Sequence, residues 1–239
     1  MTNIEQNIAT VRQRIQLSCH KAGRNSDDVT LLAVSKTVSP DSIRAAIAAG
    51  QHDFGENYIA EGVEKITTLA AETAQYGLQW HCIGPVQSNK TRLVAQHFDW
   101  VHTVDRLKIA ERLNEQRPEG AKRLQVCIQV NIDNSPSKSG VAPHEVLTLA
   151  QEIAKLPRLQ LRGIMAIPDI SVNAQGDFAM NNIAVQAVFV PARAIFEHLN
   201  ALNYDLDTLS IGMSADLEPA IQAGSTMVRV GSAIFGSRA

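Results

Sequence analysis

Short apolar runs alternate with stretches of helical hydrophobic spacing along the whole chain of 239 residues, and this alternation restricts the fold more than any other feature. Ile4, Ile8, Val11 and Ile15 recur at helical spacing. Gly23 then supplies a stop, because glycine tolerates the left-handed backbone that ends helices. Residues 30–35 (TLLAVS) are apolar on both faces, as expected of a strand covered on two sides. Ser39 and Pro40 read as the N-cap and first residue of a helix running to Gly50. Further strands are expected over 52–55, 78–84, 100–104, 124–131, 159–167, 208–213 and 227–231. Between them the spacing predicts a helix through Ile59, Val63, Ile66 and Leu69, another over 89–96, and one capped by Asp105 that carries Leu107, Ala110 and Leu113. Pro143 opens the next, a long helix covers 185–202 and a short one 216–223.

Eight strand and helix units in this length match a TIM-type (β/α)8 barrel, whose usual size is about 250 residues. An open doubly wound sheet is the alternative, but no GxGxxG follows the first strand. No linker rich in Pro, Gly or Ser divides the chain, so residues 1–239 are read as one α/β barrel domain with a leading helix. The polar stretch over 169–182 is longer than its counterparts.

Charge removes other classes. Lys plus Arg number 22 against 24 Asp plus Glu, a formal net charge of −2, so the chain is no polycation built for nucleic acid. Hydrophobic residues at 45% and charged ones at 19% are ordinary for a globular protein. No apolar run approaches the roughly 20 residues that cross a bilayer, and the start lacks the pattern of a secretory signal. A cytoplasmic protein without membrane contact is expected. Cys19, Cys82 and Cys127 are dispersed and form no CxxC, which reads as reduced thiols rather than a disulfide framework or zinc site.

In a barrel of this type the site lies where the strands end. Lys36 directly continues the first apolar strand, which sets its amine over the mouth of the core. Desolvation there lowers a lysine pKa and frees the neutral amine that forms a Schiff base with a carbonyl. The plainer alternative is a lysine that reaches out to water or pairs with Glu56. Gly212, Met213 and Ser214 after the seventh strand, and Gly231 and Ser232 after the eighth, occupy the frequent phosphate-binding position of such barrels. In the last strand Val228 and Val230 share one face and Arg229 takes the other, so the arginine points inward and needs a carboxylate or a ligand acceptor. Together these features suggest a phosphorylated aldehyde. A class I aldolase in which Lys36 attacks a sugar phosphate is a further reading.

Several segments resemble one known family: AVSK over 33–36, FGENY over 54–58, HCIGPVQSNK over 81–90, SKSG over 137–140, RGIMAIP over 162–168 and SIGMSADLEPAIQAGSTMVRVGSAIFG over 210–236. The sequence is similar, across nearly its whole length, to the pyridoxal phosphate homeostasis or PLP-binding protein family. The resemblance implies a type III PLP fold, the alanine racemase barrel without its C-terminal domain. It implies a protein that binds pyridoxal 5'-phosphate (PLP) as an exchangeable Schiff base, delivers it to apo forms of PLP-dependent enzymes, and balances intracellular B6 and amino-acid pools, with no established catalysis. Lys36 matches the Schiff-base lysine, Arg229 the residue facing the pyridine nitrogen, Ser214, Gly231 and Ser232 the phosphate positions, and Asn57 a residue near the ring. Cys82, Val86 and the run Asn134, Ser135, Pro136 depart from the family pattern, and residues 169–191 fit it poorly. The other reading is a slow PLP-dependent amino-acid racemase or lyase, which needs a second base such as His81 or Tyr58 on the opposite face. Monomer is the expected state.

Overall fold

The structure, a computed structural model, describes residues 3–136, 138–169 and 182–236. Eight strands, β1 (Thr30–Val34), β2 (Asp53–Glu56), β3 (Gln79–Cys82), β4 (Trp100–Val104), β5 (Leu124–Val130), β6 (Leu159–Ala166), β7 (Thr208–Met213) and β8 (Met227–Val230), pair in sequence order into a closed barrel. Every pairing is parallel, and β8 closes on β1 with Leu32 opposite Arg229. The helices are α1 (Ile4–Lys21), α2 (Pro40–Ala48), α3 (Ile59–Thr68), α4 (Ala70–Tyr76), α5 (Thr91–His97), α6 (Leu107–Gln116), α7 (Val146–Ala154), α8 (Asn182–Val188), α9 (Val190–Ala201), α10 (Leu217–Gln222) and α11 (Ser232–Phe235).

Strand alternation divides the buried residues into two sets. Ala33, Phe54, Trp80, Val101, Val126, Ile164, Leu209, Ile211, Val228 and Val230 join the core shared with the helices. Trp100, Cys127 and Met165 form a separate small cluster, and their strand neighbours on the same face include His81, His102, Ser210 and Arg229, all buried. The barrel interior is therefore partly polar, where layers of branched aliphatic side chains are the usual filling.

The leading helix packs as its spacing predicts: Ile4, Ile8, Val11 and Ile15 are buried, and α1 lies against α2, α10 and α11. Ser39 caps α2 through its side chain with Pro40 in the first turn. All three cysteines are buried and free. Among the described residues no helix is long and apolar enough to cross a membrane.

Several boundaries differ from the sequence reading. β2 begins at Asp53 rather than at residue 52, and β3 stops at Cys82 rather than at Gly84. Gly84 has left the strand because Asn57 presses on it: a Cβ there would sit 2.0 Å from the Asn57 carbonyl oxygen, so only glycine fits. Asp105 does not cap α6; Arg106 occupies the N-cap without a side-chain bond, and Asp105 pairs with Arg106 at 2.9 Å instead. Pro143 opens a short 3-10 turn, and α7 starts after it. The helix expected over 185–202 is two, α8 and α9, interrupted at Phe189. Pro191 lacks the N–H that would continue the first into the second. α4 has no counterpart among the expectations. The polar stretch over 169–182 lies, from 170 to 181, outside the described residues, as do Ser137 and residues 237–239.

Candidate functional site

At the C-terminal mouth of the barrel a cavity of about 510 Å³ is lined by Lys36, Asn57, Ser214, Arg229, Gly231 and Ser232, together with Val34, Ile83, Ile167, Met213 and Ala215. All six residues expected from the sequence meet there. Among the described residues the lining holds a lysine and an arginine and no carboxylate, a composition that favours an anionic occupant.

Lys36 follows β1 by two residues, and the backbone on both sides of it is pinned. Ser35 N–H donates to the Gly55 carbonyl at 2.9 Å. Lys65 Nζ, buried on α3, donates to the Ser35 carbonyl at 2.6 Å, to Glu56 Oε1 at 3.0 Å and to Glu61 Oε1 at 2.5 Å. Glu61 Oε1 also accepts the Thr37 N–H at 2.5 Å, and Thr37 adopts a φ of 62°, which a residue with a Cβ takes up only when its surroundings hold it there. Glu56, weighed above as a partner for Lys36, is engaged by Ser35 Oγ at 2.6 Å and by Lys65. Burial pushes the Glu56 carboxyl above its usual range, against the Ser35 hydrogen bond and the Lys65 charge.

The two small-residue loops are fixed by different means. Gly212 turns β7 outward with a φ of +91°, and a Cβ on it would meet Ala220 Cβ at 2.5 Å. Asp216 Oδ1 then accepts the Met213 N–H at 2.5 Å, and Arg14 of α1 reaches the Ser214 carbonyl at 3.0 Å while pairing with Glu218 at 2.7 Å. After β8, Gly231 caps α11, whose first backbone bond runs from Ile234 N–H to Gly231 O at 3.0 Å. The N–H groups of Ser232 and Ala233 precede that bond and are helix-start donors without an intrahelical partner.

Arg229 is buried and points inward as expected, but its partners are not a carboxylate. Nη1 donates to the Ser210 carbonyl at 2.7 Å and to Ser210 Oγ at 2.9 Å, and Nη2 to the Ala166 carbonyl at 3.1 Å. A guanidinium carries five donors in a fixed fork, and here carbonyls on two neighbouring strands and a serine hydroxyl take the bonds of Nη1 and Nη2. Burial lowers its pKa to about 10, with the Asp216 charge acting in the opposite direction. It stays a cation at neutral pH and donates only.

Among the described residues Asn57 Oδ1 is buried with no hydrogen-bond partner. An unsatisfied buried polar atom costs about 1–3 kcal/mol, and Asn57 lines the cavity, so this atom marks where an occupant's polar group would be received. His81 does not reach the mouth; it is fully buried and bonded to His102 at 3.0 Å and to Asp53 at 3.2 Å. Tyr58 is 58% exposed and does not line the cavity. Sequence reading also missed Lys65, Asp216 and Arg14. The spacing of Glu61 and Lys65, four residues apart on a helix, is a visible pairing pattern, but nothing in it shows that Lys65 is buried and reaches the Ser35 carbonyl.

Fold and site together define a class: a parallel eight-stranded barrel with a lysine at the end of the first strand, an inward arginine on the last, and small-residue loops at the mouth between them. The family model described as alanine racemase, N-terminal domain, matches residues 1–239. The pyridoxal phosphate homeostasis protein of Haemophilus influenzae is 51% identical over 239 residues, covering 99% of this chain and 96% of that protein. The chain belongs to the pyridoxal phosphate homeostasis protein family. Among solved structures, PipY of Synechococcus elongatus PCC7942 with PLP bound matches with a TM-score of 0.79 at 33% identity, covering 98% of this chain and all of that one (100%). Alanine racemase from Corynebacterium glutamicum matches at 15% identity with a TM-score of 0.65, over 95% of this chain and 61% of that one, a likeness of fold alone.

Proposed function

We propose that this protein holds PLP at the barrel mouth, attached covalently but exchangeably through Lys36, and serves PLP and amino-acid homeostasis as a carrier. The observation that carries the reading is the lining of the cavity among the described residues: a lysine and an arginine, no carboxylate, two small-residue loops and one unsatisfied buried amide oxygen. In this reading Ser214, Gly231 and Ser232 receive the phosphate, Asn57 a polar ring substituent, and Arg229 the ring nitrogen. The membership in the family and the PLP-bound PipY structure support it.

PLP supplies an aldehyde that condenses reversibly with amines and a ring that draws electrons when its nitrogen is protonated. Arg229 can only donate, so a ring nitrogen facing it is kept unprotonated and the ring is a poor electron sink. Racemisation also needs proton exchange on both faces of the substrate. Among the described residues no carboxylate, histidine or tyrosine lines the cavity to act opposite Lys36, which favours a carrier over a catalyst. The reading extends to one domain over 1–239, a monomer in the cytoplasm, and apo PLP-dependent enzymes as recipients.

The test is absorption of the purified protein with added PLP. A near-visible band is expected in the wild type and lost in Lys36→Ala, and borohydride reduction should fix the cofactor mass on the peptide carrying Lys36. A protein that stays colourless would return the aldolase reading. Sustained α-proton exchange of a single-enantiomer amino acid in deuterated water would overturn the carrier.

A further inference from the structure

An unbroken hydrogen-bonded chain crosses the barrel interior from the opposite end to the underside of the cavity. Asp53, the first residue of β2, lines a separate cavity of about 610 Å³ at the N-terminal ends of the strands. Its Oδ1 lies 3.2 Å from His81 Nε2 on β3; His81 Nδ1 lies 3.0 Å from His102 Nε2 on β4; and His102 Nδ1 lies 3.1 Å from Ser210 Oγ on β7. Ser210 Oγ accepts from Arg229 Nη1 at 2.9 Å. Both imidazoles are completely buried, and His81 stacks on the Trp100 ring, with centroids 5.1 Å apart.

The two ends dictate the direction of every bond between them. Arginine has donors only and a carboxylate acceptors only. With Asp53 accepting, a neutral His81 carries its proton on Nε2 and offers Nδ1 as acceptor. His102 must then carry its proton on Nε2 and offer Nδ1, so the Ser210 hydroxyl donates to His102 and its oxygen lone pair is left for Arg229. The opposite tautomer of His102 would leave its bare Nε2 facing the bare Nδ1 of His81 at 3.0 Å with no proton between them. Burial above all, with the nearby charge of Arg229, holds His102 well below the usual imidazole range, in the neutral form this arrangement requires. The other charges facing the chain are Asp99, which accepts the Trp80 N–H at 2.9 Å beside His81, Arg162, 4.7 Å over the Trp100 ring, and Asp216, acting on Arg229.

We propose that Asp53, His81 and His102 form a positioning relay in which Asp53 fixes the tautomers of both histidines and thereby aims the Ser210 hydroxyl so that Arg229 is held in one pose beneath the cofactor ring. The relay couples a carboxylate at one end of the barrel to the PLP mouth at the other. It rests on the proposed role of Arg229 toward the ring nitrogen, and one arm of its test is independent of PLP.

That arm is two-bond 1H–15N NMR of the labelled, cofactor-free wild type. Both His81 and His102 should be Nε2-protonated with Nδ1 bare; an Nδ1-protonated His102 overturns the relay without any variant. The second arm titrates full-length Asp53→Ala, Asp53→Glu and Ser210→Ala with PLP, with His52→Ala as a control in the same N-terminal cavity. Asp53→Ala touches neither the mouth nor Arg229, yet it should weaken PLP binding by about fivefold, the low end of coupling between distant sites, and move the pH midpoint of the near-visible band. Ser210→Ala should move the same midpoint, Asp53→Glu should restore it, and His52→Ala should leave it unchanged. Unchanged band and affinity in both Asp53→Ala and Ser210→Ala would overturn the coupling. If Asp53→Ala does not fold, the wild-type tautomers and Ser210→Ala decide. Failure of wild type to bind PLP would sink the carrier reading and leave the tautomer result standing by itself.

Discussion

At Asn57 the folded chain keeps a buried side-chain oxygen without a donor, although the backbone around it is tightly held against Gly84. Such an atom is a stability cost in the ligand-free protein that a bound group removes. Asn57→Ala should therefore stabilise the ligand-free form, by about 1 kcal/mol, and weaken PLP about tenfold, which is a loss of about 1.4 kcal/mol. Thermal unfolding with and without PLP checks both signs; a variant less stable without ligand would mean that the amide has a structural partner. Lys36 and Arg229 were legible in the sequence because strand alternation and strand ends assign their positions directly. The missing partner of Asn57 was not, since a hydrogen-bond deficit exists only after the neighbours have been placed.

On the scale of elements, β2 and α3 meet through a buried cation. Lys65 is 6% exposed and Glu56 fully buried in their side chains, and the same ammonium holds the Ser35 carbonyl beside Lys36. Removing one partner of a buried pair leaves the other charge uncompensated. Lys65→Met should cost about 3–5 kcal/mol, whereas Glu56→Gln combined with Lys65→Met should recover part of the loss. A urea-unfolding cycle over the four proteins measures this, and strictly additive losses would show that the two side chains do not act as a pair. PLP affinity should fall in Lys65→Met even where folding is intact, because the turn carrying Lys36 loses its anchor. The strands and the caps of α1 and α2 could be read in advance because spacing and cap chemistry are local. The α8–α9 break depends on where Pro191 falls within a helix turn, and α4 continues past Leu69 with Tyr76 exposed, so neither has an apolar stripe strong enough to announce it.

Across the whole molecule, the count of eight units was legible, but the polar axis of the barrel was not. His81 and His102 stand 21 residues apart, and His102 and Ser210 stand 108 apart; only the register of the closed sheet brings them together. That axis gives the fold a pH dependence whose sign can be worked out. Burial, with the charge of Arg229, holds His102 well below the ordinary value of 6.5. Below about pH 6.5 the unfolded chain takes up a proton there that the native protein does not, so stability falls as pH falls and is unaffected at higher pH. At about pH 5.5 the loss from this one residue reaches about 1.4 kcal/mol. Glu56, Asp99 and Asp216 have carboxyls raised by burial, so the native state binds protons more tightly than the unfolded chain at those sites and they work in the opposite sense. The contribution of His102 is therefore read as a difference. His102→Gln should be less stable than wild type at about pH 8, and the gap should narrow by about 1.4 kcal/mol between there and about pH 5.5. Urea midpoints at the two pH values decide the point, and parallel pH dependence in both proteins would mean that His102 takes up its proton at the same pH inside the barrel as in the unfolded chain.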